Sequence, residues 1–386
     1  MMLPQSRWQL RFLLILGAAL GIVFLPVAFG LPMVNSGDLH VYSAEMDVMF
    51  RGEVPYLEFQ FEHLPLAILP MAATQVIANL TGLPFAYPFM AISLAMTFVT
   101  GVLVARIGED LGVGDAGRRW VIMVAPMLLI IPFRIDALSV MLTVAAVFYA
   151  IERHDTASLA ATIGAILSKG WPVILVATDW WRGERRRARA VVVFTVALGV
   201  LLIAMPGFRA ARSFVGVHEE TLSGTLVVVA RLLTGHDPQI VHSAGAEYVV
   251  AGTWAVLLNL AIGGAITLAS LTVLRRAFSW RGGVALIAAM TYGVLLASPL
   301  LSAQFILWPI PFVALTGSRR GRVLLTTAAT ISVALTAIWD PGAMWWHTGW
   351  LIRNFVLVGA AVQGVLDARR VAATYEPKPA LAGPAV

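Results

Sequence analysis

The first residue able to do chemistry is Asp38, which opens the acid-rich stretch 34–59 directly after an apolar run long enough to cross a bilayer. If residues 37–50 are helical, Tyr42 and Glu45 share its face, at i+4 and i+7. A carboxylate so placed can take a proton from an acceptor hydroxyl as a general base. It can equally cap the first N–H groups of a short interfacial helix. Spacing alone leaves both roles open. Glu45, Asp47, Glu53, Glu58 and Glu62 read as a solvated face rather than as metal ligands.

Cations follow at separated positions. Arg134 and Asp136 lie in "PFRID", at the junction of two short apolar runs. Arginine can grip a phosphate through paired donors, or Arg134 can pair locally with Asp136 and pin a helix end. Lys169 lies in "SKGWP", where Gly170 and Pro172 break a helix. There it can neutralise a lipid phosphate or snorkel to the interface. His218, in "FVGVHEETLSG", can shuttle a proton or donate to phosphate. Gln304 and Trp308 begin a helix in "SAQFILWP". Trp308 reads first as part of an interfacial aromatic belt and second as a platform for a sugar ring. Trp345, Trp346 and Trp350, ahead of Arg353, read as belt in the same way.

The elements that must position these residues are membrane helices. Hydrophobic residues make up 59% of the 386 and charged residues 12%, against about 25% charge in soluble domains. Apolar runs predict about twelve spans, at 12–31, 85–106, 119–133, 137–151, 156–168, 171–181, 190–206, 247–274, 283–298, 304–317, 322–338 and 351–366. The fold class expected is all-α and polytopic, one transmembrane domain over 1–370, with amphipathic outer loops at 32–63 and 207–246. Several spans are short, and 156–181 reads as two half-helices meeting at Lys169. Such irregular backbone survives at membrane depth only when buried in protein or lining a cavity. The stretch 64–80 reads as re-entrant or interfacial because of Pro65, Pro70, Gln75 and Asn79. The run from Phe12 reads as an uncleaved first helix, being long for a signal peptide. The Pro/Ala-rich tail 371–386 reads as a disordered cytoplasmic extension.

Basic residues set the orientation. With the N-terminus inside, 20 of the 27 Lys and Arg fall on inner loops and 7 on the outer side. The net charge of +6 is therefore a topology signal and not a nucleic-acid footprint. The same arrangement sends Asp38, Arg134, Asp136, Lys169, His218, Gln304 and Arg353 to one face, which suggests a single outward cavity. With no cysteine there is no disulfide, thiolate metal site or Cys nucleophile. No P-loop or dinucleotide fingerprint is present. Arginine in place of lysine, with abundant Ala, Gly and Val, fits a high-GC bacterial genome and hence a bacterial plasma membrane.

Taken together the motifs resemble the GT-C superfamily of polytopic glycosyltransferases. They are most similar to glycosyltransferase family 87, the polyprenol-phosphate-mannose-dependent mannosyltransferases. The resemblance runs from Asp38 to about Asn354. It rests on Asp38, Tyr42, Gly52, Pro55 and Tyr56 after the first helix, and on Arg134 with Asp136. Lys169, Trp171 and Pro172 continue it, followed by Ser302, Gln304, Phe305 and Trp308, then Arg353 with Asn354. The chain departs from the family pattern at His63-Leu64-Pro65, where Tyr-Pro-Pro is usual, and at Thr221, where an Arg is usual. A later Glu of the second outer loop is also missing, which loosens any transfer of acceptor specificity.

The resemblance implies an inverting transfer, with mannose as the expected sugar, from a polyprenyl-phosphate donor to a glycolipid or cell-envelope glycan. Asp38 would be the base. Lys169, Arg134, His218 and Arg353 would hold the donor phosphate, and Tyr42, Tyr56, Asp136, Trp171, Gln304 and Trp308 would line the pocket. No cofactor is expected and a divalent cation is not required, because protein cations can carry the phosphate charge. Expected partners are the lipid-linked sugar, the acceptor and membrane lipids. The rival readings are an arabinofuranosyl or other sugar transferase of the same fold, a transporter or lipid flippase, and an inactive assembly subunit.

Overall fold

The structure is a computed structural model that describes residues 6–28, 37–211, 216–243, 246–274, 279–338 and 343–373. Helices dominate it. Five are long and apolar enough to cross a membrane: Ala86–Asp110, Arg185–Ala204, Thr253–Val273, Trp280–Ala297 and Met344–Ala373. The chain is thus a mainly helical membrane protein. Helix Arg185–Ala204 carries the kind of apolar outer face that suits lipid. Val193, Val196, Val200 and Ile203 recur at i, i+3, i+7 and i+10, and each is at least 60% exposed.

Apolar tails do not drive apolar helices together in lipid, so close approach of backbones must. Helices Thr253–Leu274 and Trp280–Ala297 meet through glycines. A Cβ on Gly263 would come within 2.4 Å of the Gly293 carbonyl oxygen and the Ala297 nitrogen. Aromatic packing fixes the first helix, Ser6–Ala28, where Trp8 and Phe12 pack on Trp120 at 6.4 and 5.4 Å between ring centroids.

Shorter elements surround these helices, and many end where proline or glycine stops them. Helix Ala116–Val124 passes into 3-10 turns at Ala125–Leu129 and Ile131–Phe133, each with a proline in its first turn. Helix Asp155–Ser168 stops at Lys169, and the chain resumes as a 3-10 turn, Trp171–Ile174, and helix Leu175–Trp181. The 3-10 turn Ala303–Leu307 precedes helix Ile310–Thr316. Residues in 64–80 form a 3-10 turn, Pro65–Ala67, and helix Ile68–Thr81. Its 14 residues reach roughly 21 Å, short of the ~30 Å hydrocarbon layer.

The helical class stands with one small addition, and two boundaries need correction. The second loop carries a small antiparallel sheet of β1 (Val217–His218), β2 (Ile240–Ser243) and β3 (Ala246–Val249), in the order β1-β3-β2. Accordingly the run expected to span from 247 begins as β3, whose Tyr248 and Val249 have the aromatic and β-branched side chains that suit strands. Its helix starts only at Thr253. Finally, helix Met344–Ala373 runs three residues past the boundary placed at 370, and the rest of the tail, 374–386, lies outside the described residues.

Candidate functional site

The residues singled out above converge on one cavity of about 680 Å³. Asp38, Tyr42, Arg134, Asp136, Lys169, Trp171, His218, Gln304 and Trp308 all line it, although they come from five separate stretches of chain. Three sides can be built from local structure.

The first side rests on two helix ends. Asp136 is the first residue of helix Asp136–Ile151, and Lys169 follows the last residue of helix Asp155–Ser168 in an extended conformation. The Lys169 ammonium lies 2.9 and 3.1 Å from the two Asp136 carboxylate oxygens, and the Trp308 indole N–H donates to one of them at 2.8 Å. Asp136 is 1% exposed, so these partners replace the water it has lost. Trp308 is sandwiched between Trp171, at 5.2 Å and 11° between planes, and Phe305, at 4.5 Å and 21°. The Lys169 ammonium sits 4.3 Å above the Phe305 ring. The result is a stack of three rings in the cavity wall with a cation at its Phe305 ring. Trp308 is buried, so it belongs to this stack and not to an interfacial belt. Trp346 and Trp350 are likewise buried, leaving only Trp345 exposed for a belt role.

The second side is helix Gly37–Phe50 and the loop after it. Tyr42 donates to Asp38 Oδ2 at 3.3 Å, as the i+4 spacing allows. Arg134 pairs with the same oxygen. The local Arg134–Asp136 pair expected from "PFRID" therefore does not form as such, because each charge has a more distant partner. Glu45 departs from the solvated face assigned to it. It is buried, 3.8 Å from His63 Nε2, and burial followed by repulsion from Glu62 pushes its carboxyl up to about 8. Glu62 lines the cavity, while Asp47 and Glu58 stay exposed.

The third side comes from the second loop. The Glu219 N–H donates to the Glu247 carbonyl at 3.2 Å, so β3 brings Glu219, Glu220 and Glu247 to the cavity together. Burial and the facing Glu247 carboxyl raise Glu219 well above the usual carboxylate range. Glu220 is pushed up to about 7 by burial, against the pull of Arg353 and Arg134. His218 accepts from the Glu220 N–H through Nδ1 at 3.3 Å. Burial, then Arg353, takes its ring down to about 4, so it is neutral at ordinary pH. His218 thus offers the cavity a polar edge, not the positive charge anticipated for it.

Two expected residues stand outside the lining. Arg353 is fully buried behind the third side. It donates to the Glu220 carbonyl at 2.9 Å, lies 3.5 Å from the Glu220 carboxylate and stacks 4.5 Å from the Trp350 ring. Its reach ends at Glu220, whose loop it holds in place together with Asn354. Tyr56 donates to the His63 carbonyl at 2.5 Å and packs under the loop. The loop is pinned from below at Gly207, whose N–H donates to the Tyr56 carbonyl at 2.8 Å. Any Cβ on Gly207 would strike that oxygen.

Sequence reasoning overlooked Glu219, Glu220 and Glu247, and named His63 and Phe305 only as parts of motifs. The consecutive acids after His218 were the available signal. No local pattern connects them to Glu247, because strand pairing does so. Among the described residues no group of three or more His, Asp or Glu side chains is placed to hold a metal ion. Compared with protein-family models and with curated proteins, the chain finds no match.

Proposed function

We propose that the protein is a membrane glycosyltransferase of the GT-C type. It moves a sugar, mannose by preference, from a polyprenyl-phosphate donor to a hydroxyl of a glycolipid or envelope glycan on the outer face of a bacterial plasma membrane. The observation that carries this reading is the cavity itself. Its wall holds the partly exposed Asp38 carboxylate together with the rings of Trp171, Phe305 and Trp308 and the lysine Lys169. A base, a sugar platform and a cation for a leaving phosphate are what such a transfer uses. An apolar groove between helices Thr253–Leu274 and Trp280–Ala297 shares Val294 and Ser298 with the cavity, which gives a polyprenyl chain a way in from the lipid.

On this reading the sugar lies against the exposed edge of the Trp171–Trp308 stack, with its phosphate toward Lys169 and Arg134. Asp38 takes the proton of the acceptor hydroxyl. The acceptor oxygen bonds to the anomeric carbon as the bond from that carbon to the phosphate oxygen breaks. Polyprenyl phosphate departs with the electron pair, and the cations stabilise its charge. The configuration inverts because attack and departure are on opposite faces. An arabinofuranosyl donor would use the same parts. The topology of about twelve spans, with both termini inside, belongs to the same proposal.

The test is transfer of radiolabel from polyprenyl-phosphate-mannose into a lipid extract by the purified protein in nanodiscs, wild type beside Asp38→Asn. Label in a new glycolipid with wild type alone supports the reading. Equal transfer by both removes Asp38 from catalysis. Absence of transfer from every lipid-linked sugar supplied would sink the reading and leave a transporter as the better account.

A further inference from the structure

The candidate phosphate cations share one property: each is already matched by a carboxylate. Arg134 pairs with Asp38, Lys169 with Asp136 and Arg353 with Glu220. The pairs differ in what else their carboxylates touch. Asp136 is 1% exposed and also held by the Trp308 indole, and Glu220 sits against Arg353 at the back of the wall. Asp38 is the open case. Its side chain is 35% exposed and faces the cavity, and its other contact is the long Tyr42 hydroxyl bond of 3.3 Å. Arg134 is its counterpart, 13% exposed at the cavity wall in the extended residue that separates a 3-10 turn from helix Asp136–Ile151.

An Asp38 carboxylate engaged by a guanidinium is a poor base, because the pair stabilises its ionised form against taking a proton. Arginine also binds phosphate through the same paired donors that it offers a carboxylate. A phosphate entering this cavity therefore competes with Asp38 for Arg134. We propose that Arg134 exchanges partners during the reaction: the incoming donor phosphate draws it from Asp38, so that Asp38 becomes available as base only when donor is bound. This rests on the glycosyl-transfer reading and adds its regulation. Arg134 is then a positioning residue for Asp38 as well as a phosphate ligand. The exchange leaves the empty site without a free base, which guards against proton transfer when no donor is present.

The exchange has a binding signature that needs no turnover. A decaprenyl monophosphate, which carries the phosphate and no sugar, is titrated into the full-length protein in nanodiscs, with binding followed by tryptophan fluorescence. Removing the competitor should help the phosphate. Asp38→Asn is expected to bind the probe about 5-fold more tightly or better, while failing to transfer sugar. Arg134→Gln is expected to bind about 10-fold more weakly or worse. In the double variant the gain from Asp38→Asn should vanish, because there is no guanidinium left to free.

Unchanged or weaker binding by Asp38→Asn, with an unaltered melting temperature, overturns the exchange. So does a gain that persists in the Arg134→Gln background, since that would be simple repulsion of the anion by Asp38. Asp38→Ser serves in the same cycle if the asparagine variant does not fold. Sugar transfer by wild type together with no gain in Asp38→Asn defeats the exchange and spares the glycosyl-transfer reading. No binding by any form defeats both.

Discussion

Helix Asp155–Ser168 carries a buried charge cluster at each end, and the two ends could hardly differ more in the space around them. At Lys169 the cluster of Lys169, Asp136 and Trp308 faces a cavity of about 680 Å³. Near its start, Ser158 and Thr162 accept from Arg187 at 2.7 and 3.3 Å, and Arg187 meets Asp179 at 2.9 Å. The neighbouring void there is only about 20 Å³, and Arg182, which lines it, stacks 4.3 Å from the Trp280 ring. The chemistry of the two clusters is the same, a cation and a carboxylate out of bulk water. The difference lies in unfilled volume. Where side chains fill the space, a buried ion pair ties helices together. Where they leave room for a ligand, the same pair becomes a recognition surface. Charge in a membrane protein is thus read as function only with its packing.

The sharpest way to break this contrast is to remove charge in the open cavity and in the filled cluster and compare activity with stability. Asp38→Asn should lower sugar transfer by about 10²-fold or more, and Lys169→Ala by about 10²-fold, in the radiolabel assay, with the protein still folded. Arg187→Met should act the other way. Leaving Asp179 buried without its partner is expected to cost about 3 kcal/mol of stability, visible in denaturant unfolding in detergent, with the cavity unaltered. Should Arg187→Met spare stability and abolish transfer, the two clusters would not be separate in role.

A smaller effect sharpens the first end. Trp308→Phe keeps an aromatic ring in the stack but loses the N–H to Asp136 and part of the ring area, so kcat/KM should fall about tenfold without loss of fold. A further effect, read in stability and not in activity, concerns Glu45. Its folded carboxyl titrates at about 8 against an ordinary 4.5. The folded protein then binds more protons than the unfolded chain between those values, so stability falls as pH rises through that window. Glu45→Gln should flatten that part of the slope between pH 5 and 8, read as melting temperature at each pH. An unchanged slope would show that Glu45 is not the group responsible.

Helices with strong local signals were legible in the sequence. The break at Lys169 followed from Gly170 and Pro172, and helix Gly37–Phe50 placed Tyr42 beside Asp38 as its spacing required. The polar residues were also legible as candidates, because charge is rare in so apolar a chain. Less legible was the second loop, where strands of two to four residues leave too short a pattern for periodicity to register. The aromatic residues were misjudged for a related reason. A tryptophan at a helix end has the same local sequence whether it faces lipid headgroups or a neighbouring ring, and Trp308 and Trp346 face inward.

An apolar, helix-rich membrane chain, the points at which its helices break and the small set of ionisable residues it could use thus follow from the order of residues alone. These depend on composition and on contacts within a few residues. Who pairs with whom was set by packing: Arg134 with Asp38 instead of its neighbour Asp136, Lys169 with Asp136, and Arg353 with a loop more than 130 positions away. Such choices come from which helix ends the packing brings within reach. A charge leaving water settles on the partner that geometry offers, whatever its distance along the chain.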